Sequence, residues 1–523
     1  MAIDTEPFRY QFVIARANDA IIGDGSESLG GWVVNTGAAL TTSRLIDANG
    51  RLHGILLGLA VDDKGQLITG DWTGAPDPDL GWQAVTDWIE GLTGRYGLLI
   101  RREGAMRFYT DPFGTIGAVH DPETRRLASS LALCLTRPIA VLPGYDHAAV
   151  AEGKALYTLF DTRDTTARRL NPNCFLDLDR FVEIRFWPRP SSIALHQGDL
   201  VQTYDCLARR TRAVFAALNA RHRVWLPLSG GQDSRLLLAM AGDEARNIDR
   251  AFTHISNYAN RIDAEIASQL ARAAGVDHEV HDRRQHRTNH AVAAADEKTF
   301  RQALGFPMPA WREIGNGLHR RLPLDAVILR GHGTDLLRAV FSFRIGRRAR
   351  RNTAWQLRRL RPGAPSATVD PGGQRRFQKR YEAWRTALPD WAEKNSSDLM
   401  FQEIYFSSTI GCTFPAYWRA FMMSPFCGRR QIGMSMAIDE ALRRTSAPVF
   451  DIVYRMNPAL HDVPFDFENR GPIAQAKIDR IADPKINAQI TQARRAATRE
   501  RAAGLAAGTH SETVNSPNGA GPG

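Results

Sequence analysis

The sequence predicts a two-domain protein of mixed structure, in which a β-rich N-terminal domain precedes an α/β domain built on a parallel sheet. Its 523 residues exceed the usual length of one domain and argue for two. Short β-type runs separated by turn signals fill the first part of the chain, whereas β-type runs alternate with helical patterns after residue 200. An apolar fraction of 43% is typical of a globular protein.

The N-terminal domain is predicted from six runs rich in β-branched and aromatic residues. These runs are Tyr10–Arg16, Gly31–Val34, His53–Leu59, Tyr96–Arg101, Met106–Tyr109 and Phe181–Phe186. A Pro/Ser cluster, WPRPSS at 187–192, then breaks the pattern as a connector does. We therefore place a domain boundary near residue 195, and residues 1–195 form the first domain.

The second domain, 196–485, shows the alternation of strands and helices that builds a parallel sheet from βαβ units. Its predicted strands are Val224–Leu228, Arg250–Ile255 and Ala326–Arg330, and its predicted helices are Leu200–Leu218, Ser234–Ala241 and Ala264–Ala274. Such sheets bind ligands at the carboxyl ends of their strands. Residues 344–379, rich in Arg, Pro and Gly, are predicted as a mobile insertion, and 486–523 as a helix followed by a disordered tail.

Composition excludes several classes of protein. No stretch approaches the roughly 18 apolar residues of a membrane span, and the N-terminus lacks the features of a secretory signal. We therefore expect a cytoplasmic protein without membrane insertion.

The net charge of +11 and the arginine crowd from Arg344 to Arg361 suit a polyanion, but the absence of a recognised motif argues against nucleic acid. His278 and His281 lack a third ligand at zinc-like spacing and are predicted as ordinary strand residues.

The strongest motif is the loop Ser229-Gly230-Gly231-Gln232-Asp233-Ser234, which follows an apolar strand and opens a helix. The two glycines let backbone N–H groups approach phosphate oxygens at the helix N-terminus, and the two serines add hydroxyl donors. The loop differs from the Walker loop, GxxxxGK[ST], because it has no lysine that could reach the terminal phosphates. Because the Asp233 carboxylate would repel phosphates unless a cation intervened, the loop implies Mg²⁺ between acid and triphosphate.

This SGGxDS loop resembles the PP-loop of the ATP pyrophosphatases. About a hundred residues later, Gly331-His332-Gly333-Thr334-Asp335 resembles the GEGxDE segment of asparagine synthetases, whose Asp is the second carboxylate on magnesium. The resemblance implies that Asp233 and Asp335 hold Mg²⁺ and that Asp233, Asp335 and His332 are the catalytic residues. The ATP-binding residues that it implies are Leu228, Ser229, Gly230, Gly231, Asp233, Ser234 and Gly331.

The second loop departs from the family pattern at two positions. His332 stands where the family has its first Glu, and Leu336 where it has its second. The ordinary pKa of a histidine side chain is close to neutral, so His332 can take a proton from an attacking amine. The alternative is that His332 only packs or forms hydrogen bonds. Both changes put aspartate and ammonia in doubt as substrates.

The N-terminal domain also resembles the glutaminase domain of asparagine synthetases. Gly94-Arg-Tyr96, Asp111-Pro-Phe-Gly114 and Ala128-Ser-Ser130 follow the order of its GxF, RDxxG and SE landmarks. The resemblance implies an Ntn-hydrolase-like αββα sandwich, followed by a PP-loop domain with a parallel five-stranded sheet and surrounding helices. Ala2 occupies the place of the family's nucleophilic cysteine, so we expect a structural domain without glutaminase activity.

The resemblance, which extends to β-lactam synthetase and the lasso-peptide cyclases, implies an ATP-dependent amide-forming ligase. It would adenylate a carboxylate, release pyrophosphate and join the acid to an amine or ammonia. The most specific reaction that the resemblance implies is the formation of a macrolactam within one peptide. ATP and Mg²⁺ are the expected cofactors, and the expected partners are a small-molecule or peptide carboxylate and amine, including a precursor peptide. Two alternatives stay open: a non-catalytic nucleotide-binding scaffold, and an ammonia-dependent asparagine synthetase in which His332 replaces the glutamate.

Overall fold

The computed structural model describes residues 6–16, 25–195, 198–342, 360, 371–466, 468 and 484–511. These residues form a mixed α/β structure with three sheets, one of which is five-stranded and parallel. Among them, no helix combines the length and the apolar character needed to cross a bilayer. The mixed class and the five-stranded parallel sheet predicted from the sequence are therefore confirmed.

Strands predominate before residue 195, and strands alternate with helices between residues 200 and 330, as the sequence predicts. The strands are β1 Phe12–Ala15, β2 Gly25–Leu29, β3 Trp32–Thr36, β4 Thr42–Ile46, β5 Leu52–Val61, β6 Asp71–Trp72, β7 Thr93–Arg102, β8 Ala105–Thr110, β9 Val119–Asp121, β10 Arg126–Ala128, β11 Arg168–Arg169, β12 Cys174–Asp177, β13 Val182–Arg185, β14 Val224–Pro227, β15 Arg250–Ile255, β16 His278–Asp282, β17 Val327–Leu329 and β18 Phe421–Met423. The helices are α1 Trp82–Gly91, α2 Leu131–Cys134, α3 His147–Ala151, α4 Leu200–Asn219, α5 Asp233–Ala241, α6 Asn260–Ala274, α7 His290–Leu304, α8 Arg312–Gly315, α9 Pro371–Thr386, α10 Ser396–Leu399, α11 Ser407–Thr409, α12 Arg429–Ala437, α13 Glu440–Arg444, α14 Ala447–Met456, α15 Pro458–Asp462 and α16 Pro484–Ser511, with a π-helix at Met400–Phe406.

The first two sheets are antiparallel apart from the β4–β6 pair, and they pack face to face. Their orders are β11-β9-β10-β1-β3-β2 and β13-β12-β8-β7-β5-β4-β6. Phe12 of the first sheet packs against Phe108 of the second, with ring centroids 5.5 Å apart. Helix α1 covers the outer face of the second sheet through Val85 and Ile89, and α2 covers the outer face of the first. Two sheets thus lie between helices.

Each of the six β-type runs predicted for this part of the chain overlaps a strand. Strands β2, β4, β6 and β9 to β12 were not predicted, because most of them are very short or polar. The segment GSESL of β2, for example, is mostly exposed and pairs only with β3 at the edge of its sheet. Such a strand depends on its neighbour for its structure rather than on its own composition.

The parallel sheet has the order β16-β15-β14-β17-β18, so the chain reverses its direction of winding at β14. Strand β14 pairs with β15 on one side and with β17 on the other. The loops that leave β14 and β17 therefore start side by side at the carboxyl edge, which is the switch point where such sheets bind ligands. His278 and His281 lie in β16 as predicted, and both ring nitrogens of His278 are engaged by the hydroxyls of Thr253 and Ser268.

The predicted boundary near residue 195 falls between β13 and α4. The two parts nevertheless share a buried interface. The Arg429 guanidinium, fully buried, donates to the Tyr96 hydroxyl at 3.1 Å, the Thr110 carbonyl at 2.9 Å and the Pro172 carbonyl at 2.6 Å. Arg429 of α12 is thus one of the buried side chains whose hydrogen bonds join the antiparallel sandwich to the second part of the chain.

The insertion predicted for 344–379 differs from the structure at its C-terminal end, where α9 begins at Pro371. Phe377, Tyr381 and Trp384 recur at helical spacing along α9 and are all buried. This apolar stripe outweighs the Pro and Gly residues on which the prediction relied. The arginine crowd from Arg344 to Arg361 lies outside the described residues. At the other end of the chain, α16 begins close to the predicted residue 486, and 512–523 lie outside the described residues.

Candidate active site

The two predicted loops bring Asp233 and Asp335 together at the carboxyl edge of the parallel sheet. Asp233 is the first residue of α5, and Asp335 lies in a short 3-10 helix, Thr334–Arg338. One Arg338 nitrogen, Nη2, donates to Asp233 Oδ1 at 2.7 Å and Oδ2 at 2.8 Å, and to Asp335 Oδ1 at 2.8 Å. The Thr334 hydroxyl donates to Asp233 Oδ1 at 2.7 Å. A single cation therefore bridges the predicted carboxylate pair.

The ionisation of this pair is strongly perturbed. Burial and the neighbouring Asp233 carboxylate raise the pKa of Asp335 to about 7, against the opposing influence of Arg338. Burial lowers the pKa of Arg338, but the two carboxylates outweigh it, so the guanidinium stays charged. Two carboxylates that share one hydrogen-bond donor repel each other unless a cation lies between them.

The donor set fits Mg²⁺. This ion binds through one or two carboxylates and completes its octahedral shell with phosphate oxygens and water. Asp233 and Asp335 supply the two carboxylates, and the bridging position of Arg338 marks where positive charge is stabilised. Within the described part of the chain, no group of three or more His, Cys, Asp or Glu is placed to hold a metal ion.

A pH prediction follows from the raised pKa of Asp335. The folded protein holds a proton that the unfolded carboxyl, near its usual value of 3.8, has already lost. The contribution of Asp335 to stability is therefore full below about pH 4 and is lost as the pH rises to about 7. We expect Asp335→Asn to gain stability relative to the natural protein across this window, measured by urea unfolding in EDTA. A constant difference from pH 4 to pH 8 would contradict the perturbed ionisation.

Three backbone N–H groups of the glycine loop donate to side chains, two of them within the loop and one in α6. Ser229 N–H donates to Ser234 Oγ at 3.1 Å, and Gly231 N–H donates to Ser229 Oγ at 3.3 Å. Gly230 N–H donates to Asp263 Oδ1 at 3.1 Å, so this donor already binds an anionic oxygen. Such converging donors at a helix N-terminus suit phosphate oxygens.

Close packing restricts two of the glycines, and it restricts Gly331 more strictly, because the neighbour of Gly331 is the Cβ of Asp233 rather than the end of a flexible side chain. A Cβ on Gly230 would lie 2.9 Å from Ile266 Cδ1 of α6, and a Cβ on Gly331 would lie 2.8 Å from Asp233 Cβ. Both distances are shorter than side chains tolerate. The two loops can therefore lie against each other only because residue 331 has no side chain.

We expect Gly331→Ala to destabilise the fold by about 1–3 kcal/mol and to separate the two carboxylates, because Asp233 must shift to admit the new methyl group. Urea unfolding measures the first effect, and nucleotide binding by calorimetry measures the second. Gly504→Ala is the matched control, since a Cβ there would meet no atom within 4 Å. Unchanged nucleotide affinity in Gly331→Ala would show that the approach of the two loops is unimportant for binding.

His332, predicted as catalytic with packing as the alternative, is buried among aromatic rings. Its ring stacks on Phe406 at 5.0 Å and meets Phe113 and Phe414 edge-on at 5.7 and 5.3 Å. Burial and the charges of Arg330 and Arg95 lower its pKa to about 3, so the ring is neutral. Neither ring nitrogen has a hydrogen-bond partner among the described residues. This geometry favours the packing interpretation.

Leu336, which replaces the family's second Glu, is fully buried in an apolar cluster that also contains Phe113 and Phe406. Its carbonyl accepts a hydrogen bond from Arg443 at 2.9 Å. An acid at this position would be buried without water. Leu336 therefore packs in the hydrophobic core next to the candidate site.

Two arginines that the sequence reasoning missed support the site. Arg338 follows Asp335 at the i,i+3 spacing of a helical ion pair, which is the signal that could have identified it. Arg235, next to the SGGxDS motif, donates to the carbonyls of Val463 at 2.6 Å and Pro464 at 2.9 Å, and its guanidinium lies 3.6 Å from the Phe465 ring centroid. An arginine inside an otherwise apolar helix was the signal there.

The N-terminal landmark residues form structural hydrogen bonds. Asp111, fully buried, accepts from the N–H groups of Phe113, Thr115 and Ile116 at 3.1, 3.0 and 2.8 Å. The Ser129 hydroxyl accepts from the Phe12 N–H at 2.9 Å. Ala2, on which the expected loss of glutaminase activity rests, lies outside the described residues.

A cavity of about 190 Å³ adjoins the glycine loop. The residues around it are Pro227, Leu228, Ser229, Phe252, Thr253, His254, Asn260, Asp263, Glu313, Leu322, Ile328, Arg330, Tyr417 and Met422. The Thr253 hydroxyl donates to the Leu228 carbonyl at 2.7 Å and so holds the end of β15 against the loop. The predicted residues Leu228 and Ser229 therefore border an open space at the start of the glycine loop.

No protein-family model matches this chain, and no curated protein matches it either. Most of the predicted site residues lie in two loops that contact each other: Ser229, Gly230, Gly231, Asp233, Ser234, Gly331 and Asp335. The ring of His332, in contrast, packs among phenylalanines.

Proposed function

We propose that this chain is an ATP-dependent carbon–nitrogen ligase of the asparagine synthetase type, which adenylates a carboxylate and joins it to an amine or ammonia. The observation that carries the proposal is the meeting of two glycine-containing loops at the switch point of a parallel sheet, with Asp233 and Asp335 joined by one cation. Sheets of this kind bind nucleotides at that point. The sharpest version of the proposal is a lasso-type cyclase that forms a macrolactam.

The domain assignment belongs to the same proposal. The sandwich of two antiparallel sheets between α1 and α2 suits a degenerate Ntn-hydrolase-like domain. The sheet with order β16-β15-β14-β17-β18 suits a PP-loop domain. The hydrogen bonds of Asp111 and Ser129 to nearby backbone N–H groups suit an N-terminal domain in which the landmark residues stabilise that domain's own fold.

In the proposed reaction, the residues of the two loops bind and orient ATP. Asp233 and Asp335 would hold Mg²⁺ in place of Arg338, and the metal would neutralise phosphate charge. The N–H groups of Gly230 and Gly231 and the hydroxyls of Ser229 and Ser234 would contact phosphate oxygens. The substrate carboxylate attacks the α-phosphorus, pyrophosphate leaves, and a nitrogen nucleophile then displaces AMP.

A non-catalytic nucleotide-binding scaffold is the second candidate. One observation favours it, namely that Arg338 already neutralises both carboxylates. The third possibility, an ammonia-dependent asparagine synthetase, required His332 to act in place of a glutamate. The burial of its neutral ring among Phe113, Phe406 and Phe414 argues against that role.

The products formed from ATP labelled at its α-phosphate test the proposal. The full chain is incubated with Mg²⁺ and with fractions of small molecules and peptides from a cell extract. We expect AMP and pyrophosphate in equal amounts, dependent on one fraction. Formation of ADP would contradict the ligase, and nucleotide binding without any AMP would support the scaffold.

A further inference from the structure

Arg338 lies between the two acids of the candidate site and is bound there through one of its nitrogens. Its Nη2 donates to Asp233 Oδ1 and Oδ2 at 2.7 and 2.8 Å, and to Asp335 Oδ1 at 2.8 Å. A guanidinium has five N–H donors. The Nε of Arg338 is buried and has no hydrogen-bond partner among the described residues. Part of the donor capacity of this side chain is therefore unused.

The oxygens that bind Arg338 are the same ones that the proposed function assigns to Mg²⁺. A guanidinium and a metal ion cannot both lie between these carboxylates, because Mg²⁺ contacts its oxygen ligands directly at about 2.1 Å. One guanidinium also compensates only one of the two carboxylate charges, whereas a divalent cation compensates both. Arg338 therefore has to leave Asp233 and Asp335 before the metal can bind them.

The short helix that carries Asp335 and Arg338 is held in place by a different arginine. Arg443, buried, donates to the Leu336 carbonyl at 2.9 Å and pairs with Asp398 through contacts of 3.0 and 2.8 Å. None of these contacts involves Arg338. A rotation of the Arg338 side chain can therefore release the two carboxylates while the backbone of the helix stays where it is.

The phosphate-binding part of the glycine loop lies next to the present position of Arg338. Asp233 directly follows Gly230, Gly231 and Gln232, so a guanidinium that contacts Asp233 lies beside the N–H groups assigned to phosphate oxygens. The side chains of Arg338 and Asp233 are 22% and 36% exposed, so a ligand can reach them. Guanidinium groups bind phosphate oxygens in bidentate geometry.

We infer that Arg338 is an ATP-binding residue that exchanges partners: it neutralises Asp233 and Asp335 in the metal-free protein, and it turns to the triphosphate when it yields these carboxylates to Mg²⁺. The inference rests on the proposed function, because it describes how the ATP site of the ligase is filled. The exchange couples the two ligands, since binding of the metal breaks the ion pairs of Arg338 and the triphosphate replaces them.

Two binding measurements on the full chain test the exchange, and neither requires turnover. The first is the affinity for Mn²⁺ alone, followed by the electron paramagnetic resonance of the free ion. The second is the affinity for α,β-methylene-ATP, which resists cleavage between its α- and β-phosphates, measured by calorimetry in saturating Mg²⁺. Both are made at pH 8, above the raised pKa of about 7 of Asp335, so that protons do not compete with the metal.

Arg338→Met should shift the two affinities in opposite directions. Mn²⁺ should bind roughly tenfold to hundredfold more tightly, because it no longer displaces charge-assisted hydrogen bonds. The ATP analogue should bind roughly tenfold more weakly, because its phosphates lose a guanidinium. Damage to the fold would instead weaken both affinities together.

Two further variants complete the test. Arg338→Gln removes the charge but keeps an N–H donor toward the carboxylates, so it should repeat the opposite shifts even where Arg338→Met does not fold. Arg223→Met is the matched control, at a 63% exposed arginine that pairs with Asp249 and directly precedes β14 at the amino edge of the same sheet. It should change neither affinity.

Mn²⁺ binding that is unchanged or weaker in the Arg338 variants, or unchanged binding of the ATP analogue, would overturn the inference. If AMP still forms with an extract fraction in that case, the ligase proposal stands and only the role of Arg338 is wrong. Conversely, opposite shifts of the two affinities without AMP from any fraction would retain the exchange and reject the ligase in favour of the scaffold.

Discussion

Asp233→Ala is expected to lower ATP-dependent AMP formation by on the order of a thousandfold, the loss that follows when a metal-held phosphate site loses one of two carboxylates. In the natural protein, Asp233 and Asp335 share Nη2 of Arg338 as a donor. In the variant, Asp335 would be the only carboxylate that pairs with Arg338. The measurement is the release of labelled AMP in the extract fraction that supports turnover.

The matched controls separate this chemistry from folding. Asp277→Asn removes a carboxyl group from an exposed position of the same domain, 78% accessible, and should retain full AMP formation. Loss of Asp233 removes like-charge repulsion from Asp335 but also removes the hydrogen bonds from Thr334 and Arg338, so the free energy of unfolding of Asp233→Ala is measured together with its activity. An Asp233→Ala protein that is folded and still forms AMP would reject the assigned role of this carboxylate.

Glu403→Gln should lower the free energy of unfolding by about 3–5 kcal/mol, because it breaks a buried ion pair and leaves a cation without its partner. Glu403 lies in the π-helix Met400–Phe406 and is fully buried. It accepts from both Arg185 nitrogens at 2.7 and 2.9 Å, from Asn171 and Asn173 at 2.8 Å each, and from the Trp384 indole at 2.6 Å. Three of these four donors belong to the N-terminal part of the chain.

A double-mutant cycle tests this prediction by urea unfolding. Arg185→Met removes the cation, and the Glu403→Gln/Arg185→Met pair should recover part of the stability that Glu403→Gln loses, because no buried charge is left alone. Glu393→Gln, at a 60% exposed acid that pairs with Arg385, is the matched control and should change stability by less than about 1 kcal/mol. Additive losses in the cycle would show that the two side chains do not interact.

The ionisation of Glu403 gives the same site a pH signature. Burial alone would raise its pKa, but the Arg185 charge and the hydrogen-bond donors together hold the pKa below the usual 4.5. The stabilisation is thus present above about pH 4.5 and is lost as the pH falls through the lower pKa of the folded protein. The free energy of unfolding should therefore fall less steeply with decreasing pH in Glu403→Gln than in the natural protein.

The sequence by itself determined the mixed fold class, the positions of β14, β15 and β17, and the two glycine loops. These features are local, because an apolar run followed by Ser229-Gly230-Gly231 encodes a strand, a tight turn and a helix start within a dozen residues. The pairing of Asp233 with Asp335 was predicted from the resemblance of the second loop to the GEGxDE segment of asparagine synthetases, and in the structure both residues follow strands of one parallel sheet and share its carboxyl edge.

Only the tertiary structure decided which side chains surround those loops. Arg338 bridges the acids because the 3-10 helix turns it back onto them, and His332 meets Phe113, Phe406 and Phe414, which come from two distant segments of the chain. Arg330 and Glu313 share a cavity for the same reason. Their proximity depends on how elements far apart in sequence pack together, and no spacing within the sequence records that distance.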